Sequence, residues 1–243
     1  MTTQPQRTRK DRALATRRRM LRAGYRLFCE RGYLATTMDA IAAEAGVAVQ
    51  TLYFTFHTKG AILGETLGAA ILGFDAWTGP PREPFHVVQE MTRRMVWWPA
   101  FAAEASPRRA LDLLVDEGSA ALWRAGALLA AVRGSGDPDA TAVFELAERR
   151  RVESFREFVR TLARKQGGLR PGLTAPRATD ILLVLFSGAT YHELHTRRGW
   201  SHAECARFLK DVLGQQLLGE GKESTAGAAP RAPRRRTSGR GVH

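Results

Sequence analysis

The sequence predicts an all-α protein of about nine helices. Apolar residues recur at spacings of three and four through most of the chain, and no segment alternates apolar and polar residues as a half-buried strand does. Glycine and proline clusters at residues 79–81, 134–138 and 167–172 divide the chain into intervals of helical length. The first intervals are short and the later ones long, so we expect a small N-terminal unit followed by a larger one.

Composition and cysteine usage exclude several classes of protein. The chain is 44% hydrophobic and 25% charged, which is typical of globular proteins and excludes collagen, long coiled coils and wholesale disorder. The longest apolar run, residues 181–186, is far shorter than the roughly 20 residues that span a bilayer. The two cysteines are too few for a disulfide framework. The basic N-terminus lacks the apolar central segment that a secretory signal peptide requires. We therefore expect a cytoplasmic protein.

The formal net charge of +13 is concentrated at the two ends of the chain. Residues 1–22 carry eight basic side chains against one acidic, and residues 219–243 carry six against two. A polyanion such as a nucleic acid would therefore be attracted mainly to the N-terminal end of the chain, next to the unit that follows residue 22. We expect a basic flexible arm over residues 1–16 and a disordered Arg-rich tail over residues 219–243.

A pair of short helices around a glycine turn is predicted between residues 36 and 56. Thr36 followed by Asp39 has the form of a capping box, and Gly46 suits the tight turn that ends the helix. The next helix starts at about Ala48 and turns Val49, Leu52 and Phe56 inward. At 100° per residue its outward face carries Gln50, Thr51, Phe54 and Thr55. Glutamine can pair with adenine and a threonine methyl with a thymine methyl, so this face suits a DNA groove.

The N-terminal unit resembles the DNA-binding domain of the TetR family of transcriptional regulators over about residues 17–65. The resemblance is carried by Arg22-Ala23-Gly24, Leu27-Phe28, Glu30-Arg31-Gly32-Tyr33, Thr36-Thr37, Ile41-Ala42, Ala45-Gly46-Val47, Thr51-Leu52-Tyr53, Phe56 and Lys59. It implies a helix-turn-helix domain at residues 17–62, in which Thr37 meets a phosphate and Gln50 and Thr51 lie at or near base edges. It also implies that Tyr53 and Lys59 grip the DNA backbone, while Thr55 replaces a frequent histidine.

For residues 63–218 the resemblance implies a larger helical domain that binds a small-molecule effector and forms a homodimer. Bulky aromatic residues are candidates for the pocket, and a flat apolar or aromatic effector would suit them: Trp97, Phe101, Trp123, Phe144, Phe155, Phe158, Phe186 and Tyr191. The last two helices, about 176–197 and 201–218, have wide apolar faces that predict a dimer interface through Leu182, Leu185, Phe186, Phe208, Leu209, Val212, Leu213 and Leu217. Two-fold symmetry then predicts a palindromic operator.

The leading hypothesis is a ligand-responsive regulator, by default a repressor, with no cofactor. One alternative is a metal-sensing regulator, because two pairs of soft ligands lie at i, i+3 spacing: His192 with His195, and His202 with Cys205. Another is a non-specific basic protein that coats nucleic acid. We do not expect an enzyme, because the sequence has no Gly-rich phosphate loop, nucleophile elbow or paired acid-base motif.

Overall fold

A computed structural model describes residues 8–79 and 95–218 of the protein, and these residues form helices joined by turns, with no strand among them. The expected all-α fold is thereby confirmed for the described ranges. They contain ten α-helices and one π-helical turn (Glu193–Arg197): α1 (Arg9–Ala35), α2 (Met38–Ala45), α3 (Val49–Phe56), α4 (Lys59–Leu72), α5 (Trp98–Ala103), α6 (Pro107–Val132), α7 (Pro138–Ala163), α8 (Ala175–Leu185), α9 (Gly188–His192) and α10 (His202–Leu217).

Helix α1 begins earlier than the sequence predicts. The amide of Thr8 donates to the Asp11 carboxylate at 3.0 Å, and the Asp11 amide donates back to the Thr8 hydroxyl at 3.2 Å. This capping box satisfies amides that would otherwise be unpaired in the first turn. Residues 9–16 are consequently helical, and the prediction of a flexible arm is wrong for them. Residues 1–7 and the expected tail at 219–243 lie outside the described residues.

The first core joins α1 to α4 but does not stop there. Large side chains such as Phe28, Ile41, Leu52 and Ile62 are fully or almost fully buried in it. Residues from α6 and α7, among them Leu128, belong to the same core. The predicted domain boundary at 62/63 falls inside α4, whose apolar residues bury against both parts of the chain. Helix α4 is therefore shared between the N-terminal unit and the larger unit.

The second core is built from α5 to α10. Its most completely buried side chains come largely from α6, α7, α8 and α10 and include Leu111, Val115, Val159, Leu182 and Leu213. No helix among residues 8–79 and 95–218 has both the length and the apolar character that a membrane crossing requires.

The helix predicted at about 176–197 is interrupted. Helix α8 ends at Phe186, where φ is −94° and ψ is 66°, and the Ser187 hydroxyl then caps α9 by accepting from the Thr190 amide at 3.1 Å. Close packing against α6 accompanies the break: a Cβ on Gly188 would lie 3.0 Å from the Cα of Gly126. Two glycines thus let the backbones of α6 and α9 approach more closely than side chains would allow.

Three glycines of α4, at i, i+4 and i+8, lie on one face of the helix and meet α7 to different degrees. A Cβ on Gly60 would lie 2.9 Å from the Cβ of Asp139, in the first turn of α7. A Cβ on Gly64 would make ordinary contact with Val143 at 3.7 Å, and one on Gly68 would meet nothing within 4 Å. The N-terminal ends of α4 and α7 are therefore in direct contact, and space opens between the helices further along.

Candidate functional site

The turn between α2 and α3 has the geometry of a helix-turn-helix. Gly46 has a left-handed backbone, with φ 65° and ψ 44°, and its amide donates to carbonyls of the last turn of α2. The Val47 amide donates to the Ala42 carbonyl at 3.0 Å, so the end of the helix is closed by a pair of turn bonds. Because glycine adopts this conformation without strain, the chain reverses sharply and α3 leaves at an angle to α2.

The structure corrects the residue that starts α2. Thr37, and not Thr36, is the N-cap, and its hydroxyl accepts from the Ala40 amide at 3.1 Å. Thr36 is fully buried, and its hydroxyl donates to the carbonyls of Gly32 and Leu27. Either threonine can begin a helix, but only the buried one can satisfy carbonyls freed by the kink in α1. Thr37 is left exposed at the N-terminus of α2, where backbone amides favour an anion.

Helix α3 has one buried and one exposed face. Leu52 and Phe56 are 0% and 3% exposed and hold the helix against the first core. Gln50 and Thr51 lie on the exposed side, as the helical periodicity predicts, and Tyr53 is exposed as well, while Thr55 is half-buried. The outer face of α3 thus presents amide, hydroxyl and phenol groups on a helix whose other face is fixed.

Phe54 is the residue that sequence reasoning left without a role. Its side chain is 86% exposed, the largest exposure among the exposed large hydrophobic residues of the described ranges. It stands on the outer face of α3, beside Tyr53, which is 48% exposed. An exposed phenylalanine is unfavourable in water, so its place in the middle of this helix points to a surface that becomes covered. The periodicity of α3 placed it outward and was the available signal.

Thr55 and Lys59 are engaged within the chain. The Thr55 hydroxyl donates to the Thr51 carbonyl at 2.7 Å. The Lys59 ammonium donates to the Tyr33 carbonyl at 2.9 Å and lies 4.2 Å from the centre of the Tyr33 ring. Lysine has three N–H donors, so the bond to Tyr33 leaves donors for another acceptor.

Several arginines of α1 are held by other parts of the chain. Arg17 makes a bidentate ion pair with Glu65 at 2.5 Å, and Arg18 donates to the Trp77 carbonyl at 2.6 Å. Arg22 pairs with Asp75 at 2.6 Å. These three cations fix α1 to α4 and to the turn after it. The basic excess of residues 1–22 is therefore only in part available to a polyanion.

A cavity of about 1110 Å³ lies between α4, α6, α7 and the interrupted α8–α9 segment. Five of the eight aromatic residues predicted to line a pocket line it: Trp97, Phe144, Phe155, Phe158 and Phe186. Its walls also carry charged groups, chiefly arginines from α6 and α7. The volume is that of a site for a small molecule of substantial size.

The other three predicted pocket residues lie elsewhere, and the prediction is wrong for them. Phe101 is fully buried in the second core, where it packs on Trp98 and Phe158. Trp123 and Tyr191 belong to an aromatic cluster with two histidines, outside the cavity lining. Aromatic residues fill cores as readily as they line cavities, so residue type alone did not separate the two environments.

The predicted metal ligands do not form a metal site. Among the described residues no three His, Cys, Asp or Glu side chains converge as a ligand set. His195 and His202 stack with ring centres 4.2 Å apart, and Nδ1 of His195 hydrogen-bonds the Trp200 carbonyl at 2.6 Å. Nδ1 of His202 is hydrogen-bonded to the Tyr191 hydroxyl. His192, by contrast, lies in the cavity wall, because the π-helical turn rotates it away from the other histidines.

The predicted dimer residues divide into two groups. Five of them are buried within the chain itself and belong to the second core, so the assignment of these five to a partner surface is wrong: Leu182, Phe186, Leu209, Leu213 and Leu217. Leu185, Phe208 and Val212 remain half-buried, and Val184 of α8, which also lines the cavity, is 68% exposed. The apolar residues that the sequence analysis assigned to one wide face therefore belong to two faces. One of them packs on α6 and α7, and the other remains at the surface.

Comparison with known proteins follows this geometry. The family model "Bacterial regulatory proteins, tetR family" matches residues 20–66. No curated protein matches the sequence. Among solved structures, NalD of Pseudomonas aeruginosa, the secondary repressor of the MexAB-OprM multidrug efflux pump, is 21% identical, with a TM-score of 0.57 over 86% of this chain and 99% of that one.

Two further solved structures have bound ligands. The regulator FadR of Bacillus subtilis, in complex with stearoyl-CoA, is 14% identical, with a TM-score of 0.58 over 80% of this chain and 96% of that one. A protein of Saccharomonospora viridis in complex with choline is 19% identical, with a TM-score of 0.57 over 84% of this chain and 98% of that one. At these identities the likeness concerns the fold. The family model covers the helix-turn-helix described above, and residues 20–66 accordingly match the DNA-binding part of the tetR family of bacterial regulatory proteins.

Proposed function

We propose that this protein is a repressor that binds a palindromic DNA operator as a homodimer and is released by a small-molecule effector. The observation that carries the proposal is the outer face of α3, where Gln50, Thr51, Tyr53 and Phe54 are exposed while Leu52 and Phe56 anchor the helix. A helix held in this way and bearing hydrogen-bonding groups fits the major groove of B-DNA.

Each residue of this surface has a role set by its chemistry. Gln50 and Thr51, in the first turn of α3, meet base edges, and Phe54 packs on a thymine methyl group or sugar. Thr37, at the N-terminus of α2, and the phenol of Tyr53 bind phosphates. Lys59 binds the same DNA phosphate backbone through the N–H donors that its hydrogen bond to the Tyr33 carbonyl does not use. Thr55 donates within its own helix, so it supports Thr51 rather than replacing the histidine frequent in the family.

The dimer forms through the part of α8 and α10 that the second core leaves exposed. Leu185, Phe208 and Val212 are half-buried on these two helices and would supply its apolar side chains. A second copy related by a two-fold axis would cover these residues and place two α3 helices on one side of the dimer. Half-sites one helical turn of DNA apart, or a multiple of it, follow from that symmetry.

The effector occupies the cavity, which shares a wall with the DNA-binding part. Helix α4 lines the cavity through Gly64, Leu67 and Ile71, and its first residue is Lys59. A ligand that fits only one position of α4 relative to α7 changes the spacing of the two α3 helices and hence the affinity for DNA. Structural relatives bound to choline and to stearoyl-CoA support a small-molecule effector.

The test is a selection of binding sequences from random DNA with the full-length protein, followed by affinity measurements on the selected site. We expect a palindrome bound by two protomers, with at least about a thousandfold preference over scrambled DNA of the same length. Gln50→Ala should relax the preference at one base position of each half-site. Gln166→Ala, an exposed glutamine in the turn after α7, is the matched control and should change neither affinity nor preference.

Two results would contradict the proposal. Selection of no consensus, with equal competition by scrambled DNA, would indicate a non-specific nucleic-acid-binding protein that acts through its basic ends. A consensus that Gln50→Ala, Tyr53→Phe and Phe54→Ala all leave unchanged in sequence and affinity would show that α3 is not the helix that contacts DNA.

A further inference from the structure

The cavity wall contains more cations than its carboxylates neutralise. Three glutamates line the cavity, and so do five arginines: Arg124, Arg133, Arg150, Arg151 and Arg197. Arg151 pairs with Glu148 at 2.9 Å and donates to the Leu183 carbonyl, and Arg197 pairs with Glu193 at 3.6 Å. The cavity is therefore electropositive, although aromatic and aliphatic side chains form much of its wall.

Two of the remaining arginines are also held by protein groups. Arg124 donates to the Ala70 carbonyl at 2.7 Å, at the C-terminal end of α4, where a cation is favoured. The Arg133 guanidinium lies 5.4 Å from the centre of the Phe144 ring. These arginines each have a structural role that does not require a ligand.

Arg150 is different. Within residues 8–79 and 95–218 its guanidinium makes no hydrogen bond and no ion pair, although the residue is half-buried. Burial lowers the pKa of Arg150, and the carboxylate of Glu153, one turn further along α7, partly opposes the shift. Arginine stays protonated at neutral pH, so this is a partly desolvated positive charge with neither a hydrogen bond nor an ion pair in the described part of the chain.

Helix α7 lines the cavity with apolar side chains on both sides of a polar stretch that contains Arg150. Ser154, one turn further on, also lines the cavity, and its hydroxyl has no hydrogen bond in the described part of the chain. Phe155 and Phe158 continue the same stripe and are buried. Arg150 and Phe158 are about 12 Å apart along the helix axis. One helix thus presents the guanidinium of Arg150 and the hydroxyl of Ser154 next to the aromatic rings of Phe155 and Phe158.

We infer that the effector is an amphipathic anion. Its carboxylate or phosphate accepts hydrogen bonds from Arg150 and Ser154, and its apolar body lies against Phe155, Phe158 and Phe186. The inference rests on the proposed function for the existence of an effector, and it narrows the flat apolar class that the sequence predicts. An anionic headgroup both accepts hydrogen bonds from the guanidinium and neutralises its charge, whereas a neutral headgroup can only accept hydrogen bonds and a cationic one repels it.

The test uses four ligands with the same dodecyl chain, each below its micelle concentration: dodecanoate, dodecyl phosphate, dodecanol and dodecyltrimethylammonium. Calorimetry on the full-length protein measures the Kd of each. We expect at least one of the two anions to bind with a Kd at least tenfold below that of the alcohol, and the cation to bind most weakly. The comparison of carboxylate with phosphate distinguishes the two headgroups.

Variants at neighbouring positions separate charge recognition from general effects. Arg150→Gln should raise the Kd of the preferred anion about 10- to 100-fold and leave that of dodecanol unchanged, whereas Arg150→Lys should retain most of the affinity. Arg149→Gln is the matched control, because Arg149 is exposed, pairs with Glu145 and does not line the cavity. Since the Arg150 guanidinium makes no hydrogen bond or ion pair among the described residues, Arg150→Gln should unfold at the same or a higher temperature than the unmodified protein.

Three results would overturn the inference: no binding of either anion, equal binding of dodecanol or the ammonium compound, or an anion Kd that Arg150→Gln leaves unchanged. The selection of operator DNA is carried out without effector and reports separately on the proposed function. If the protein selects a palindrome but binds dodecanol more tightly than the anions, the inference about the anion is refuted and the proposed function stands. If the protein binds dodecanoate through Arg150 but selects no DNA sequence, the proposed function is refuted.

Discussion

The contact between α4 and α7 gives a prediction whose size can be worked out from the distances. In Gly60→Ala the new Cβ would lie 2.9 Å from the Cβ of Asp139, which is attached directly to the backbone of α7 and cannot rotate away. Overpacking of this kind costs about 1–3 kcal/mol, because the helices must separate. Replacing glycine by alanine in a helix returns up to about 1 kcal/mol. The net expectation is a loss of about 0–2 kcal/mol in the free energy of unfolding.

Gly68→Ala is the matched control on the same face of the same helix. A Cβ there meets nothing within 4 Å, so only the helix propensity changes and the variant should gain about 1 kcal/mol. Urea unfolding followed by circular dichroism, at equal protomer concentration, measures both variants. The Gly68→Ala protein should be about 1–3 kcal/mol more stable than Gly60→Ala. If Gly60→Ala stabilises the protein as much as Gly68→Ala does, the close approach of α4 and α7 is refuted.

Three further predictions concern buried or partly buried groups of α1 and α4. Glu65→Gln should cost about 1.5–3 kcal/mol in urea unfolding, because it removes the charge from the bidentate pair with Arg17; an unchanged stability would contradict that role. Thr66→Val should leave stability equal or raise it by about 1 kcal/mol, because the Thr66 hydroxyl is buried without a hydrogen-bond partner among the described residues; a clear loss would reveal a partner. Burial raises the pKa of Cys29 to about 11 and that of Tyr25 to about 12. The unfolded thiol and phenol therefore ionise first, and the free energy of unfolding should fall as the pH rises from about 9 to 12. Cys29→Ala should flatten the first part of that fall, and a slope identical to that of the unmodified protein would count against a buried thiol.

The helix-turn-helix was the part of the molecule that local sequence specified best. The inward positions of α3 follow from a three- and four-residue spacing, and Gly46 from the need for a left-handed residue at the end of α2. These features depend on neighbours within one or two turns. The choice between Thr36 and Thr37 as N-cap was missed because it depends on the Leu27 and Gly32 carbonyls, which only the kinked end of α1 brings within reach.

The larger unit was predicted less well because its surfaces depend on contacts distant in sequence. Leu209 and Leu213 looked like a dimer face, yet they pack against their own chain, since a helix with apolar residues on more than one side gives no sign of which side meets which neighbour. Phe101 and Trp123 were assigned to the pocket by residue type, which does not distinguish a packed core from a cavity wall. Arg150, the charge that distinguishes the cavity, is unremarkable in a chain so rich in arginine, and only the structure shows that its guanidinium makes no hydrogen bond or ion pair within the described residues.

Helix α7 meets α4 at Asp139 and carries Arg150 in the cavity wall without a break between them. A one-residue insertion between these positions would turn Arg150 by about 100° around the helix and carry it out of the cavity, while Asp139 stayed against Gly60. An insertion of seven residues would restore the direction but lengthen the separation by about 10 Å. The segment from 139 to 150 therefore tolerates substitution far better than a change of length. Among homologues that share this arrangement, gaps should fall in the turns on either side of α7 and not within it.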